Sequence, residues 1–378
     1  MPRDWCATVG FDPAKLEIQG DPVPVADEVD ANPRTGAGHW DMSTNGVLLH
    51  LRGLTVAPAW PVVWMDRTGQ TRSLVSERQD YRTPRFSPDG NRLALSVGAE
   101  GGSDMFIYDL ARDATSRLTS FGKGKHQAIN PVWTADGKHI ISMYPGPSGF
   151  GLARYRADGG GELQILLDSS VNVFPTSLSP DGKAVAYVRI DPVSANDIWF
   201  LPLDIADPEH PKPGKPEVVL QSPAVESMPA FSPDGRWIAY HSNETGRNDI
   251  YVRPYRSSNQ SPNQSSGGKW QVSKDGGSFP LWSPDGRSLY FVSPDGHIMA
   301  ADYDAKADVF SPRKPRQWSP VPIWMPNVPL PYALHPDGKR FAVFPVPAPS
   351  PEEKGNAHVT MLLNFGDELR RRVAEGGR

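Results

Sequence analysis

Cysteine is nearly missing. Cys6 is the single thiol in 378 residues, which excludes an internal disulfide and any cysteine-built metal cluster. It reads as a small apolar residue in a strand. No apolar run reaches the roughly 20 residues that a membrane-spanning helix needs. The opening MPRDWCATVGF has no apolar segment of the kind that directs secretion. Taken as it stands, the sequence predicts a cytoplasmic product. Yet it opens so directly into strand-like residues that it reads as cut from something longer. There is no long basic run, and the net charge is 39 − 43 = −4, which argues against a surface built to neutralise nucleic-acid phosphates. The nine histidines are scattered, with no close pair of the H-x-x-x-H kind that holds a metal. No metal site and no cofactor are expected.

Proline and glycine are abundant, at 40 and 35 residues, as a many-turned β-fold requires. They punctuate a repeat whose clearest copy is Pro229–Tyr240, PAFSPDGRWIAY. Further copies start at Pro84, Pro131, Pro175, Pro280 and Pro331, and a weaker one, HWDMSTNGVLLHL, runs from His39 to Leu51. The turn residues are Asn45, Asp89, Asp136, Asp181, Asp234, Asp285 and Asp337, at gaps of 44, 47, 45, 53, 51 and 52. Asp-Gly or Asn-Gly between apolar runs marks a hairpin, because Gly accepts positive φ and Asp or Asn caps the turn. The run after the turn is apolar on both faces, as in Trp237–Tyr240, so it is a strand buried on both sides. A third and a fourth strand follow each hairpin. Four strands per unit, repeated at this period, predict an all-β chain folded as a β-propeller.

Hairpin counting predicts seven blades, with six or eight as alternatives. The last unit lacks a fourth strand, and Lys15–Val25 (KLEIQGDPVPV) is available to complete it and close the ring. One domain over residues 1–365 is expected, followed by a polar, basic tail over residues 366–378 that can form a short helix. The insertions Asp204–Pro216, Arg256–Lys269 and Pro345–Asn356 read as solvated loops.

The unit F/W-S-P-D-G-[RK]-x-[IL]-A-[YF] resembles the propeller repeat of the TolB family, which recurs in prolyl-oligopeptidase-type propellers and bacterial sensor modules. The segments Phe11–Val25, Val62–Gln70, Phe231–Tyr255, Trp270–Gly286 and Leu362–Val373 look like the C-terminal propeller of bacterial eukaryotic-like serine/threonine kinases. That resemblance implies a sensor module outside the cytoplasm, joined to a kinase through a membrane-spanning helix. The kinase motifs themselves are not in this sequence, and neither is a G-x-S-x-G nucleophile elbow; Gly146–Gly151 has the wrong spacing. No catalytic residue is carried over.

A propeller can still assemble a site where its innermost strands begin. The residues there are His39, Arg82, Asn130, Asn172, Ser227, Ser278 and Pro331, with His126 and Glu226 nearby. Of these, His39, Arg82, His126, Asn130, Asn172 and Glu226 form the candidate ligand set. The expected function is a non-catalytic sensor or scaffold that binds a protein, peptide or small molecule at this axial mouth, as a monomer. The alternative is a propeller enzyme (hydrolase, lyase or metal-dependent oxidoreductase) with its chemistry at the same mouth. The Asp-Gly aspartates lack the clustered spacing of a calcium loop and read as turn caps.

Overall fold

The computed structural model describes residues 5–12, 14–27, 29, 40–43, 46–52, 59–99, 102–121, 126–191, 195–255, 268–306, 308–325, 330–347 and 358–376. It divides into two compact units, Ala59–Val346 and Met1–Pro58 with Pro347–Arg378.

Among the described residues, the larger unit holds six mainly antiparallel sheets, numbered here as blades 1 to 6. Their first strands are Tyr81–Phe86, Val132–Trp133, Val173–Leu178, Glu226–Phe231, Ser278–Trp282 and Tyr332–Leu334. Each first strand leads through an Asp-Gly turn into a second, then a third and a fourth. Six apolar clusters join each blade to the next. Leu93 and Tyr108 of blade 1 meet Trp64 and Phe344 of blade 6. Met105 and Ile107 meet Trp133 and Tyr155 of blade 2. Blades 2 and 3 share Leu152 and Tyr187, blades 3 and 4 share Phe200 and Tyr240, and blades 4 and 5 share Trp237 and Phe291. Tyr290 and Trp318 of blade 5 return to Phe341 of blade 6, so the ring closes. This explains strands that are apolar on both faces: each sheet is covered by a neighbour on either side.

The closure differs from the expectation. Lys15–Val25 does not complete the last blade: Glu17–Asp27 pairs with Trp5–Asp12 inside the smaller unit. Blade 6 is completed by Trp60–Asp66, which pairs with Arg340–Val343, and by Thr71–Gln79 beyond it. The ring is thus zipped by its first two strands against its last two. The hairpin Trp40–Met42/Leu48–Arg52 is not a seventh blade of that ring. It forms a separate sheet with His358–Leu362, and its turn residue Asn45 lies outside the described residues. The residues of the expected single domain 1–365 thus cluster into two compact units. The C-terminal segment forms a helix, Phe365–Gly376, of the kind expected for 366–378; Phe365 at its start is buried with Ala26, Val29 and Leu48, and Leu369 packs against them.

The Asp-Gly turns of blades 1 to 5 carry the same hydrogen bonds; in blade 6 His335 takes the place of the serine or threonine and accepts the Asp337 N–H instead. In blade 4, Ser232 Oγ donates to Asp234 Oδ1 at 2.5 Å, and Asp234 Oδ1 accepts the Arg236 N–H at 3.1 Å. Ser232 Oγ also accepts the Trp237 N–H at 2.9 Å. The aspartates are turn caps, as the sequence indicates. Gly235 sits at φ +67°, where an added Cβ would lie 3.6 Å from Pro180 Cδ. Space is adequate, so the penalty for a side chain is conformational. Gly235→Val is expected to lose about 1–3 kcal/mol of stability in urea denaturation. Gly246→Ala, at φ +88° with open space around it, should lose less, since Ala is not β-branched. Equal losses would count against the turn geometry.

A second repeated device is absent from the sequence reading. Asp104, Asp197 and Asp249 stand within the first three residues of third strands and hold the ends of the fourth: they accept from Thr119 Oγ1 (2.9 Å), Gln221 Nε2 (3.1 Å) and Ser273 Oγ (2.7 Å). The insertion Asp204–Pro216 is also not simply solvated. Arg154 of blade 2 donates to Glu209 O at 2.5 Å and Pro208 O at 2.7 Å, and Gln164 donates to Pro211 O at 2.7 Å, so the loop is latched to the neighbouring blade. Most of the other two insertions lies outside the described residues.

Candidate functional site

The first strands form the inner edges of the six sheets, and each has a proline within it or immediately before it: Pro84, Pro131, Pro175, Pro229, Pro280 and Pro331. An inner edge has no further strand to receive an N–H, so proline is tolerated there. The residue before it is in the left-handed region in four blades: Thr83 (φ 46°), Asn130 (58°), Met228 (55°) and Phe279 (61°). Non-glycine residues held there store strain, of the kind found at ligand clamps. The ladder shifts register at three of these points, between Arg82 and Arg85, Ser227 and Ala230, and Ser278 and Leu281.

The backbone groups freed along this edge are satisfied around the axis. Asn130 N–H donates to Thr83 Oγ1 at 3.3 Å, Thr176 Oγ1 to Pro229 O at 2.7 Å, and Tyr332 OH to Phe279 O at 2.7 Å. Phe231 N–H donates to Ser177 Oγ at 3.1 Å. Trp133 and Trp282 Nε1 donate to Arg85 O (3.0 Å) and Ala230 O (2.9 Å), stitching each blade to the one before it. Phe174, Met228, Phe279 and Leu330 pack in one cluster, so on blades 3 to 6 the collar is apolar. Thr83 and Asn130 make it polar on blades 1 and 2.

The candidate set divides on this frame. His39 lies outside the described residues. His126 does not join the axis: its strand His126–Gln127 runs parallel to Gly102–Ser103, on the outer side of a third strand. Asn172 is exposed at the start of blade 3. Arg82 stands at the start of blade 1 but is paired with Asp80, whose carboxylate receives both Nε and Nη2. Glu226 and Asn130 are both buried, at 5% exposure. Neither polar atom of the Asn130 side chain has a hydrogen-bond partner. Glu226 Oε1 accepts from Ser222 Oγ at 2.6 Å, while Oε2 is buried and unpartnered. Burial raises the Glu226 carboxyl above its ordinary range, opposed by the Ser222 hydroxyl, with Asp197 and Glu244 adding to the rise. His241, on the second strand of the same blade, is held neutral: burial lowers it to about 4, and its Nδ1 accepts the Phe279 N–H at 3.4 Å.

Sequence reasoning missed Arg85. The residues that follow the six prolines are Arg85, Val132, Thr176, Ala230, Leu281 and Tyr332. The one charge in that column was the available signal. Arg85 Nη2 crosses the axis from blade 1 to blade 3 and donates to Thr176 O at 3.0 Å.

A closed ring of four-stranded blades with this turn and this collar is a TolB-like β-propeller. No protein-family profile matches the chain. Similarity to known proteins agrees with the fold. An uncharacterized protein of Agrobacterium fabrum, Atu1656, is 28% identical over 246 residues, covering 64% of this chain and 75% of that protein. The Tol-Pal system protein TolB of Gluconobacter oxydans is 30% identical over 161 residues, 31% of this chain and 35% of TolB. The uncharacterized peptidase YuxL of Bacillus subtilis is 29% identical over 196 residues, half of this chain and 26% of the peptidase. The matches thus span about a third of that TolB and about a quarter of the peptidase. Among solved structures, one from Agrobacterium tumefaciens assigned to TolB superposes with a TM-score of 0.55 at 21% identity, covering 77% of this chain and all of that one.

Proposed function

We propose that this chain is a non-catalytic binding propeller that takes a peptide or small polar ligand at the end of the ring where the first strands begin. The observation that carries it is a pair of buried, unpartnered polar groups at that end, Glu226 Oε2 and the Asn130 carboxamide. An unsatisfied buried polar group costs roughly 1–3 kcal/mol, which a ligand that pairs it recovers. The likeness to TolB supports a protein or peptide as ligand. The sequence resemblance to kinase-linked propellers supports a sensor role, and a kinase domain encoded upstream in the same reading frame would test that part.

The competing reading is a propeller enzyme, favoured by the partial match to a named peptidase. A thermal-shift screen of peptides and small metabolites separates the two. A ligand from that screen should bind about tenfold or more weakly to Glu226→Ala. Arg82→Ala should matter less, because Asp80 already engages the guanidinium. A ligand indifferent to Glu226→Ala, or robust turnover of esters or peptides, would sink the binding reading.

A further inference from the structure

We infer that Arg85 is an anion receptor on the propeller axis and that it takes the carboxylate group of a ligand. The inference rests on the binding reading above and names the chemistry its ligand presents.

The guanidinium carries five N–H donors. Among the described residues, Arg85 has one hydrogen bond, from Nη2 to Thr176 O, and no carboxylate within ion-pair distance. A buried arginine on the third strand of blade 2 shows what a structural role looks like. Arg154 is matched to three acceptors: Glu209 O, Pro208 O and His139 Nδ1 at 2.9 Å. Arg85 is under-matched by comparison; it is half-buried at the axis, and burial lowers its guanidinium to about 10. A partly desolvated cation without a counter-charge carries a penalty that a bound anion reduces.

The anion's form follows from the neighbours. Tyr332 and the apolar cluster of Phe174, Met228 and Phe279 wall the far side of the axis. Asn130, just before the first strand of blade 2 and bonded through its N–H to Thr83, offers an unpartnered carboxamide within the same collar. A planar guanidinium fork pairs a planar carboxylate through two parallel bonds. A narrow, mostly apolar collar with one amide suits a small monoanionic group better than a phosphate, which needs more donors and more charge.

The test uses the whole chain at pH 7 and constant ionic strength, with formate, acetate, phosphate and chloride as probes. Formate and acetate are expected to raise Tm saturably over chloride, by about 2–4 °C at tenfold excess over Kd. Arg85→Gln should lose that response, and Arg85→Lys should keep a weaker one, having the charge without the fork. Near-UV circular dichroism checks that both variants are folded. If Arg85→Gln does not fold, the Nε–H resonance of Arg85 in the unaltered chain, followed through a formate titration, serves instead and should shift to saturation. A response to phosphate alone, no response beyond chloride, or an undiminished response in folded Arg85→Gln would overturn the inference. Peptides with free and amidated C-termini then distinguish a chain terminus from a free metabolite as the source of the carboxylate. Formate binding that needs Arg85, with no larger ligand found, upholds the anion site and counts against the binding-module reading. A ligand that senses Glu226 and ignores Arg85 does the reverse.

Discussion

A chain that begins at Tyr81 is expected to lose its cooperative unfolding transition, while the segment Ala59–Val346 on its own keeps one. Removing residues before Tyr81 strips Trp60–Asp66 and Thr71–Gln79 from blade 6 and leaves it two short strands. The lost side chains include Trp60, Val62, Trp64, Leu74 and Val75 against blade 1, and Val63 and Met65 against blade 5. Each large apolar side chain contributes roughly 1.5–3 kcal/mol on burial, so the loss is on the order of 10 kcal/mol. That is comparable with the whole stability of a typical domain, about 5–15 kcal/mol. Both inter-blade interfaces of blade 6 open together, and a ring with one blade unmade presents unpaired edges. Deleting only residues 1–27, by contrast, should leave the melting of the Ala59–Val346 unit unchanged, since the hairpin Trp5–Asp12/Glu17–Asp27 belongs to the other unit. Thermal denaturation of the three truncations decides it. A chain starting at Tyr81 that melts like Ala59–Val346 would contradict the observed closure.

Acid should destabilise the propeller well above the range in which carboxylates titrate, and His241 should be the main cause, with His139, lowered by burial and Arg154, adding in the same direction. Its ring is buried at 6% exposure, lies edge-on to Phe279 at 5.8 Å, and receives only a weak backbone N–H. Burial lowers it from 6.5 to about 4. The folded value is therefore depressed below the unfolded one. As pH falls below 6.5 the unfolded chain takes up a proton that the folded chain refuses. The stability is fully present above 6.5 and is lost progressively down to about 4, with a ceiling of about 3 kcal/mol. Glu226 acts with the opposite sign: its raised carboxyl favours the folded state as it protonates, and so blunts the net slope. Urea denaturation between pH 7 and 4.5 is the measurement. His241→Phe should flatten the slope in this window and leave the losses at lower pH, where turn carboxylates such as Asp89 and Asp337, whose own values are lowered, become protonated. An unchanged slope in the variant would assign the acid sensitivity elsewhere.

The sequence alone determined the blade. Ser-Pro-Asp-Gly is a local signal: the serine, the aspartate and the glycine meet within six residues, and the bonds they make need nothing from the rest of the chain. The apolar columns of Trp133, Phe231 and Trp282 repeat at one register, so their burial was equally legible. Ring closure was not, because nothing within Trp60–Asp66 says which partner strand it will meet. A strand fits any sheet whose edge is open, and only the assembled ring left one open between the first strands of the unit and the last. The same reason divides the candidate site. Glu226 and Arg82 were visible as charges at strand starts, but only packing gave Arg82 its Asp80 and left Glu226 half-satisfied. His126 looked axial by sequence distance and was drawn instead to the outer side of a third strand. Arg85 became a candidate only when six strands, distant in sequence, converged and put its guanidinium across the axis from a backbone carbonyl, with no carboxylate to answer it among the described residues.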